Sequence, residues 1–597
     1  MQKRSQNNES LSHKETRPVI YQLFPRLFAN RNDSPIPNGR IETNGSGKIN
    51  DITTEILHSI RDLSVTHIWY TGVIEHAHDV DYTRYGIKRH NPHIIKGRAG
   101  SPYAITDYYD IDPDLAVDVE NRMDEFIALV DRTHHAGMKV IIDFVPNHVA
   151  RQYESDSAPA GVRDLGDGDN PEMFFSASNN FYYITRQQFA PVDVDLGQNA
   201  DRYIEFPAKA TGNDCYTAFP GRNDWYETVK LNYGVDPADN SHHFDPIPDT
   251  WLKMLNILRF WAEKGVDGFR CDMAHMVPVE FWKWAISEVR KHYPTITFIA
   301  ELYDVGIYRL YLDAGFDFLY DKVNTYDTLR GIVGGNVSAA QLTSCWQTVE
   351  GIGAKMLNFI ENHDEQRFAS EFYAGRSDIV VPSLTAVATM SKGAVMIYNG
   401  QELGEKGMDA EGFSGKDGRT TIFDYWSMDT IRRWLGTENS PSYDALSEDE
   451  RRLRAIYSRI LGMVNGCEPI RDGAFFDLMY VNYQSKGFNP HRHFVYLRST
   501  SRESVLIFLN FDNIGCNATV NIPDLAFNML RLPIGNVSAT DLLDGTKYNL
   551  TLNPSNPVEI EVPAYNARIL YFKHSLEKTQ SKKSKNKTRD NGPSTKK

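Results

Sequence analysis

The chain of 597 residues reads as an α/β protein. The predicted fold is a (β/α)8 TIM barrel with an inserted subdomain after strand 3 and a C-terminal antiparallel β-sandwich domain. Three observations predict it. Short apolar runs alternate with amphipathic helical stretches, the pattern of parallel strands joined by crossovers. That alternation breaks once, from about Val149 to Pro248, in a stretch rich in Asp, Asn, Gly, Pro and aromatic residues. A structureless loop of that length does not fit inside a domain, so the stretch reads as a subdomain. After about Asp472 the apolar period changes to two, as in strands with one buried face.

The elements follow in order. Residues 1–17 are polar and read as disordered. Val19 to Phe24 is the first buried strand, and a helix near Ile52 to Leu63 leads to a second at Thr66 to Val73. A helix from about Glu120 to Ala136 precedes the third strand, Lys139 to Val145. After the insertion, Trp251, Leu255, Leu258 and Trp261 fall on one helical face and Gly265 suits the C-terminal end. GFRCD, TFIAEL, FDFLYD, KMLNFIEN and AVMIYNGQEL supply strands four to eight. Ser447 with Glu450 three residues on forms a capping box for the helix that closes the barrel. The expected units are therefore 18–148 with 249–471 for the barrel, 149–248 for the insertion and 472–573 for a β domain without helices between its strands. Residues 574–597 form a tail with eight basic residues against two acidic ones, read as solvated and disordered.

Composition narrows the class. The net charge of −14 favours a soluble protein and speaks against general nucleic-acid binding. The N-terminus lacks an apolar signal segment, and no run of about 18 apolar residues would span a membrane. Five scattered cysteines without a CxxC spacing argue against a disulfide framework and fit a reducing, cytoplasmic setting.

Four strand ends carry the chemistry: IIDFVPNH, DGFRCDM, FIAELYD and LNFIENHDEQR. Parallel barrels place their active sites at the C-terminal ends of their strands. Asp272, Glu301 and Asp364 each follow a different buried strand. Each acid alone reads as well as a salt-bridge partner of Arg270 or Arg367; together, with flanking His and Arg, they suggest a catalytic cluster. Retaining glycoside hydrolysis requires two carboxyls about 5–5.5 Å apart, which adjacent barrel strands can present. Arg270, two residues before Asp272, shares its face and would keep that carboxyl ionised. Phe298, Ile299 and Ala300 before Glu301 suggest an apolar setting that keeps it protonated. Cys271 reads as a small buried side chain, and Trp225, Tyr226, Tyr425 and Trp426 as either cleft or core aromatics.

These motifs resemble the four short regions of the α-amylase family of glycoside hydrolases (family thirteen), and VKLNYG (Val229 to Gly234) resembles a fifth. The resemblance covers about residues 18–573. It implies that Asp272 is the nucleophile, Glu301 the general acid/base and Asp364 the third acid. It also implies that Arg270, His148 and His363 contact the sugar and that Tyr103 stacks on it. Two departures stand out. His275 and Met276 occupy positions where many members have Lys-His, the His touching calcium through its carbonyl. Gly100 stands where an Asp often precedes the stacking Tyr. Asn147 matches a calcium ligand of many members, so the resemblance allows a structural calcium; the metal ligands are unknown, and no cofactor is expected for the chemistry.

The resulting expectation is a retaining hydrolase of α-glucosidic, mainly α-1,4, bonds in starch-like glucans or maltodextrins. The alternatives are a transglycosylase or isomerase of the same family and a catalytically inactive binding module. The expected partner is an α-glucan oligosaccharide or polysaccharide, with no nucleic acid and no membrane; the oligomeric state is unknown.

Overall fold

The computed structural model describes residues 16–192, 201–408, 412, 413, 415–436 and 439–574. Eight parallel strands close into a barrel: β1 (Val19–Leu23), β2 (His67–Tyr70), β3 (Lys139–Phe144), β4 (Gly268–Cys271), β5 (Thr297–Ala300), β6 (Phe318–Tyr320), β7 (Met356–Asn358) and β8 (Ala394–Tyr398). Neighbours in sequence are neighbours in the barrel, and β8 closes on β1 with Val19 opposite Val395. This is the predicted TIM barrel.

Side-chain alternation divides each strand between two cores. Ile20, Trp69, Ile141, Ile299, Tyr320, Leu357 and Met396 pack inside the barrel. Phe144, Phe269, Cys271, Phe298 and Ala300 point outward into the helix layer. The period of two then carries the inward face upward, from Ile141 to Asp143, from Arg270 to Asp272 and from Ile299 to Glu301. Register aligns these levels: Arg270 lies opposite Asp143 on β3 and opposite Ile299 on β5. Gly268 is required where β4 meets β5, since a Cβ there would lie 2.9 Å from the Thr297 carbonyl oxygen. The helix Asp249–Glu263 buries Trp251, Leu255, Leu258 and Trp261 as its pattern predicts, and Gly265 beyond it has φ +91°. The Ser447–Glu450 capping box is formed.

The insertion leaves and rejoins the barrel as one antiparallel pair, His148–Ala150 against Thr228–Lys230. A second pair, Tyr183–Ile184 with Ala208–Lys209, carries a small core of Tyr182, Ile184, Phe189 and three alanines. The sequence reading missed a further excursion: Ile74–His76 pairs antiparallel with Ile105–Ile111 between β2 and the helix Arg122–His135. All seven residues of Ile105–Ile111 are buried although three are polar, so neither alternation nor an apolar run announces the strand.

The C-terminal region is antiparallel. Its strands are β9 (Ala474–Asp477), β10 (His493–Ser499), β11 (Glu503–Asn510), β12 (Cys516–Val520), β13 (Gly535–Asp541), β14 (Lys547–Leu552), β15 (Val558–Val562) and β16 (Asn566–Lys573). Six form one sheet in the order β9-β10-β11-β16-β13-β14, and β12 pairs with β15. One expectation is corrected: the helix Asp524–Leu530 separates β12 from β13, burying Ala526, Phe527 and Leu530 on one face. Arg17 is also unlike its prediction as part of a disordered segment. It is 6% exposed and donates to the Gly393 and Ile470 carbonyls, tying the chain start to the barrel's closing elements. Residues 1–15 and the basic stretch 575–597 lie outside the described residues. Among the described residues, no helix is long and apolar enough to cross a membrane.

Candidate active site

The predicted strand-end residues meet at the C-terminal mouth of the barrel. Arg270, fully buried, is the hub. Its Nη1 donates to Asp272 Oδ1 at 2.7 Å, its Nη2 lies 2.7 Å from Glu301 Oε1, and Asp143 Oδ1 stands 3.6 Å away. Its Nε donates to the Tyr320 hydroxyl at 3.2 Å, and its guanidinium carbon lies 5.3 to 5.5 Å from the rings of Trp69, Tyr103 and Tyr320. Burial alone would lower its pKa, but the facing Glu301, Tyr320, Tyr103 and Asp272 hold it well above the usual range. One permanent cation thus faces three buried carboxyls.

The electrostatics revise two expectations. Glu301 does not sit in an apolar recess. Beside Arg270 it accepts from the Tyr303 hydroxyl at 2.6 Å and from the Met273 backbone N–H at 2.7 Å. Asp272 is the carboxyl that burial, and then the nearby Glu301, push well above the usual range, against the pull of Arg270. The two acids share one counterion.

Asp143, which the sequence reading did not single out, completes the buried layer. Its Oδ2 accepts from Trp69 Nε1 at 3.2 Å and from the Gly72 N–H at 3.1 Å, and burial raises it to about 6. The signal was present in DFVPNH, two residues inward-spaced from Ile141. Tyr303 was likewise missed; it lies in AELYD two residues past Glu301.

The two histidines are neutral donors. Burial lowers His363 to about 3 and His148 to about 3. His363 Nδ1 faces the Gln22 side-chain amide at 2.7 Å, so its proton is on Nε2, facing the Tyr103 hydroxyl and Asp364 Oδ2 at 3.1 Å. His148 Nδ1 faces the Asn147 amide at 3.1 Å, which assigns its proton to Nε2 as well. The Tyr103 and His363 rings lie 5.4 Å apart at 31°. Asp364 is more open, with 38% of its side chain exposed.

A cavity of about 310 Å³ opens on this cluster and includes Tyr103, His148, Asp272, Glu301 and Asp364 in its wall. Trp225 of the insertion and Phe423 after β8 face it too. Of the other aromatics, Tyr226 and Tyr425 are fully buried, bonded to the Ile95 carbonyl and Asp114, and belong to the core. Cys271 is fully buried and burial pushes its thiol well up, so it is inert.

The calcium site allowed by the resemblance does not fit these residues. Lys230 places its ammonium against Asn147 Oδ1, 3.2 Å from the Met276 carbonyl oxygen and 2.8 Å from Asp214 Oδ1. Three acceptors satisfy the three donors of an ammonium. The side chain is 8% exposed, so a divalent cation at Asn147 and the residue-276 carbonyl would collide with a buried like charge.

The fold is a (β/α)8 barrel with its cavity at the C-terminal ends of the strands. The family description "Alpha amylase, catalytic domain" matches residues 22–440, and the chain belongs to the α-amylase family. It is similar to α-amylase MalA of Haloarcula japonica, 25% identical over 545 residues, 88% of this chain and 60% of that protein. It is also similar to a cyclomaltodextrin glucanotransferase of Bacillus licheniformis, 25% identical over 407 residues, 64% of this chain and 48% of that protein. The matched part therefore spans only about half to three-fifths of these relatives. A crystal structure of a maltogenic α-amylase, AmyB of Thermotoga neapolitana, shares the fold with a TM-score of 0.59 at 19% identity, covering 93% of this chain and 98% of that one.

Proposed function

We propose that the chain is a retaining glycoside hydrolase that cleaves α-glucosidic, mainly α-1,4, bonds in starch-like glucans or maltodextrins. The observation that carries this is the single guanidinium of Arg270, hydrogen-bonded to Asp272 through Nη1 and ion-paired with Glu301 through Nη2. A guanidinium-wide bridge supports the short spacing of retaining enzymes, about 5–5.5 Å, over the roughly 6.5–9.5 Å that inversion needs for an intervening water.

In this reading Asp272 attacks the anomeric carbon while Glu301 gives its proton to the glycosidic oxygen; the aglycone leaves and a glycosyl ester forms on Asp272. Glu301 then takes a proton from water, which hydrolyses the ester. The general-acid role requires a proton on Glu301. Positive charge developing on the sugar favours ionised Asp272 in the transition state, offsetting the burial that raises it at rest. His148 and His363, neutral with Nε2–H, suit hydroxyl oxygens of a sugar; Asp364 accepts from hydroxyls, and Tyr103 offers a ring face. The similarity to α-amylase MalA supports an α-glucan substrate. The similarity to a glucanotransferase supports a second reading, transfer of the glycosyl group to another sugar. The five free thiols support a reducing compartment.

Maltoheptaose digestion followed by proton NMR and product sizing tests both readings. Retained α-anomers shorter than the substrate are expected. Products longer than maltoheptaose would favour transfer, and first-formed β-anomers would sink the retaining mechanism.

A further inference from the structure

We propose that Glu75, Asp110 and Asp156 form a binding site for a divalent, oxygen-preferring cation of the calcium class, fastening the start of the insertion to the Ile74–His76/Ile105–Ile111 excursion. One carboxylate oxygen of each residue lies within 4.8 Å of the others. Calcium binds oxygens at about 2.3–2.6 Å, so ligands on opposite sides of one ion stand about that far apart.

Glu75 points to a ligand independently of the clustering. It is 3% exposed, its Oε1 accepts from the Thr106 hydroxyl at 2.8 Å, and its Oε2 has no hydrogen-bond partner. An unpaired buried carboxylate oxygen is costly. The groups around it make the deficit worse. Asp107 is close, but its Oδ2 is used by the backbone N–H groups of Asp156 and Ser157 at 2.9 Å each, and its Oδ1 by that of Tyr109. Asp110 receives Arg122 and the Ser157 hydroxyl on Oδ2 and the Ile111 N–H on Oδ1. Arg122 also stands 3.9 Å from Asp156 Oδ1, so among the described residues its one guanidinium serves Asp110 and Asp156.

The donor set selects the ion. All ligands are oxygens, without His or Cys, which favours a hard cation. The Asp156 side chain is 28% exposed, leaving an open side where waters complete the coordination. The contrast with Asn147 is direct: there Lys230 supplies the positive charge, and here Arg122 supplies too little of it. A proton shared between Glu75 and Asp107 is the competing account.

Chelator-treated protein titrated with calcium chloride by calorimetry, with melting followed in parallel, decides between them and needs no enzymatic activity. Expected are one calcium site and a melting temperature raised by roughly 3 °C or more at about 1 mM calcium. Glu75→Gln should lose both the heat and the shift, and so should Asp156→Asn, a change at a partly exposed position that keeps the test open if the first variant folds poorly. Wild-type protein that binds no calcium at that concentration overturns the site, as does undiminished binding by both variants. A Glu75→Gln variant that melts above the wild type in chelator, with no calcium response in either, identifies the shared proton instead.

Discussion

Two buried arginines stand near the same end of the barrel and lead different lives. Arg367, after β7, pairs with Glu361 at 3.1 Å, donates to the Thr420 hydroxyl at 2.6 Å and stacks 3.9 Å over Tyr398. Glu361 in turn accepts the Phe368 N–H at 2.9 Å. Charge is balanced one to one, with donors and acceptors matched. Arg270 faces Asp272, Glu301 and Asp143 together. A structural pair closes on itself, whereas the Arg270 cluster keeps an excess of carboxyl groups beside an open cavity. The imbalance, more than burial, distinguishes a site from a strut, since both arginines are fully buried.

The largest expected effect breaks the Arg270 side. Asp272→Asn should lower kcat on maltodextrin by on the order of 10⁴-fold or more while the protein stays folded, because it removes the proposed nucleophile. Activity within tenfold of wild type would sink the assignment. Next, Arg367→Ala strands a buried Glu361 and should cost about 3–5 kcal/mol in denaturant unfolding. The double change Glu361→Gln with Arg367→Met should recover most of that stability and keep activity. Asp272→Asn combined with Arg270→Met should recover no activity at all. A double variant at 361 and 367 that folds well but is inactive would erase the distinction between the two arginines.

A third test concerns a carboxyl that has no arginine. Asp321, 2% exposed at the end of β6, is raised by burial to about 6, against hydrogen bonds from Thr325 and Asn324. Its folded pKa lies above its unfolded one, so its stabilising contribution is present at low pH and is lost as pH rises through about 6. Asp321→Asn should therefore flatten the stability change between pH 4 and pH 8 by roughly 2–3 kcal/mol. An unaltered pH dependence would show that this carboxyl titrates normally. The smallest effect is Tyr303→Phe, which removes the 2.6 Å donor to Glu301. Losing a hydrogen bond to a charged acceptor costs about 1.5–3 kcal/mol. Activity should fall about tenfold, and kcat indistinguishable from wild type would show that the Tyr303 hydroxyl does not hold Glu301 in place.

The barrel was legible because its signals are local. Apolar runs with helical stretches between them fix eight parallel strands, and a period of two fixes that Arg270 and Asp272 share a face. The Ile105–Ile111 excursion was not legible because its buried polar residues are satisfied by partners far away in sequence, such as Glu75 for Thr106. The Asp524–Leu530 helix was hidden by its brevity, with one apolar face spread over two turns.

The sequence by itself determined which acids stand at strand ends and that β4 carries an arginine on the same face as Asp272. Only the tertiary structure decided their electrostatic roles. Glu301 follows three apolar residues, yet its carboxyl ion-pairs with Arg270 and accepts from the Tyr303 hydroxyl and the Met273 amide. Lys230 sits in the insertion, yet its ammonium stands at Asn147. Spacing along a strand fixes the direction of a side chain, but its charge state depends on groups that other strands bring within a few ångströms, and no local pattern encodes those.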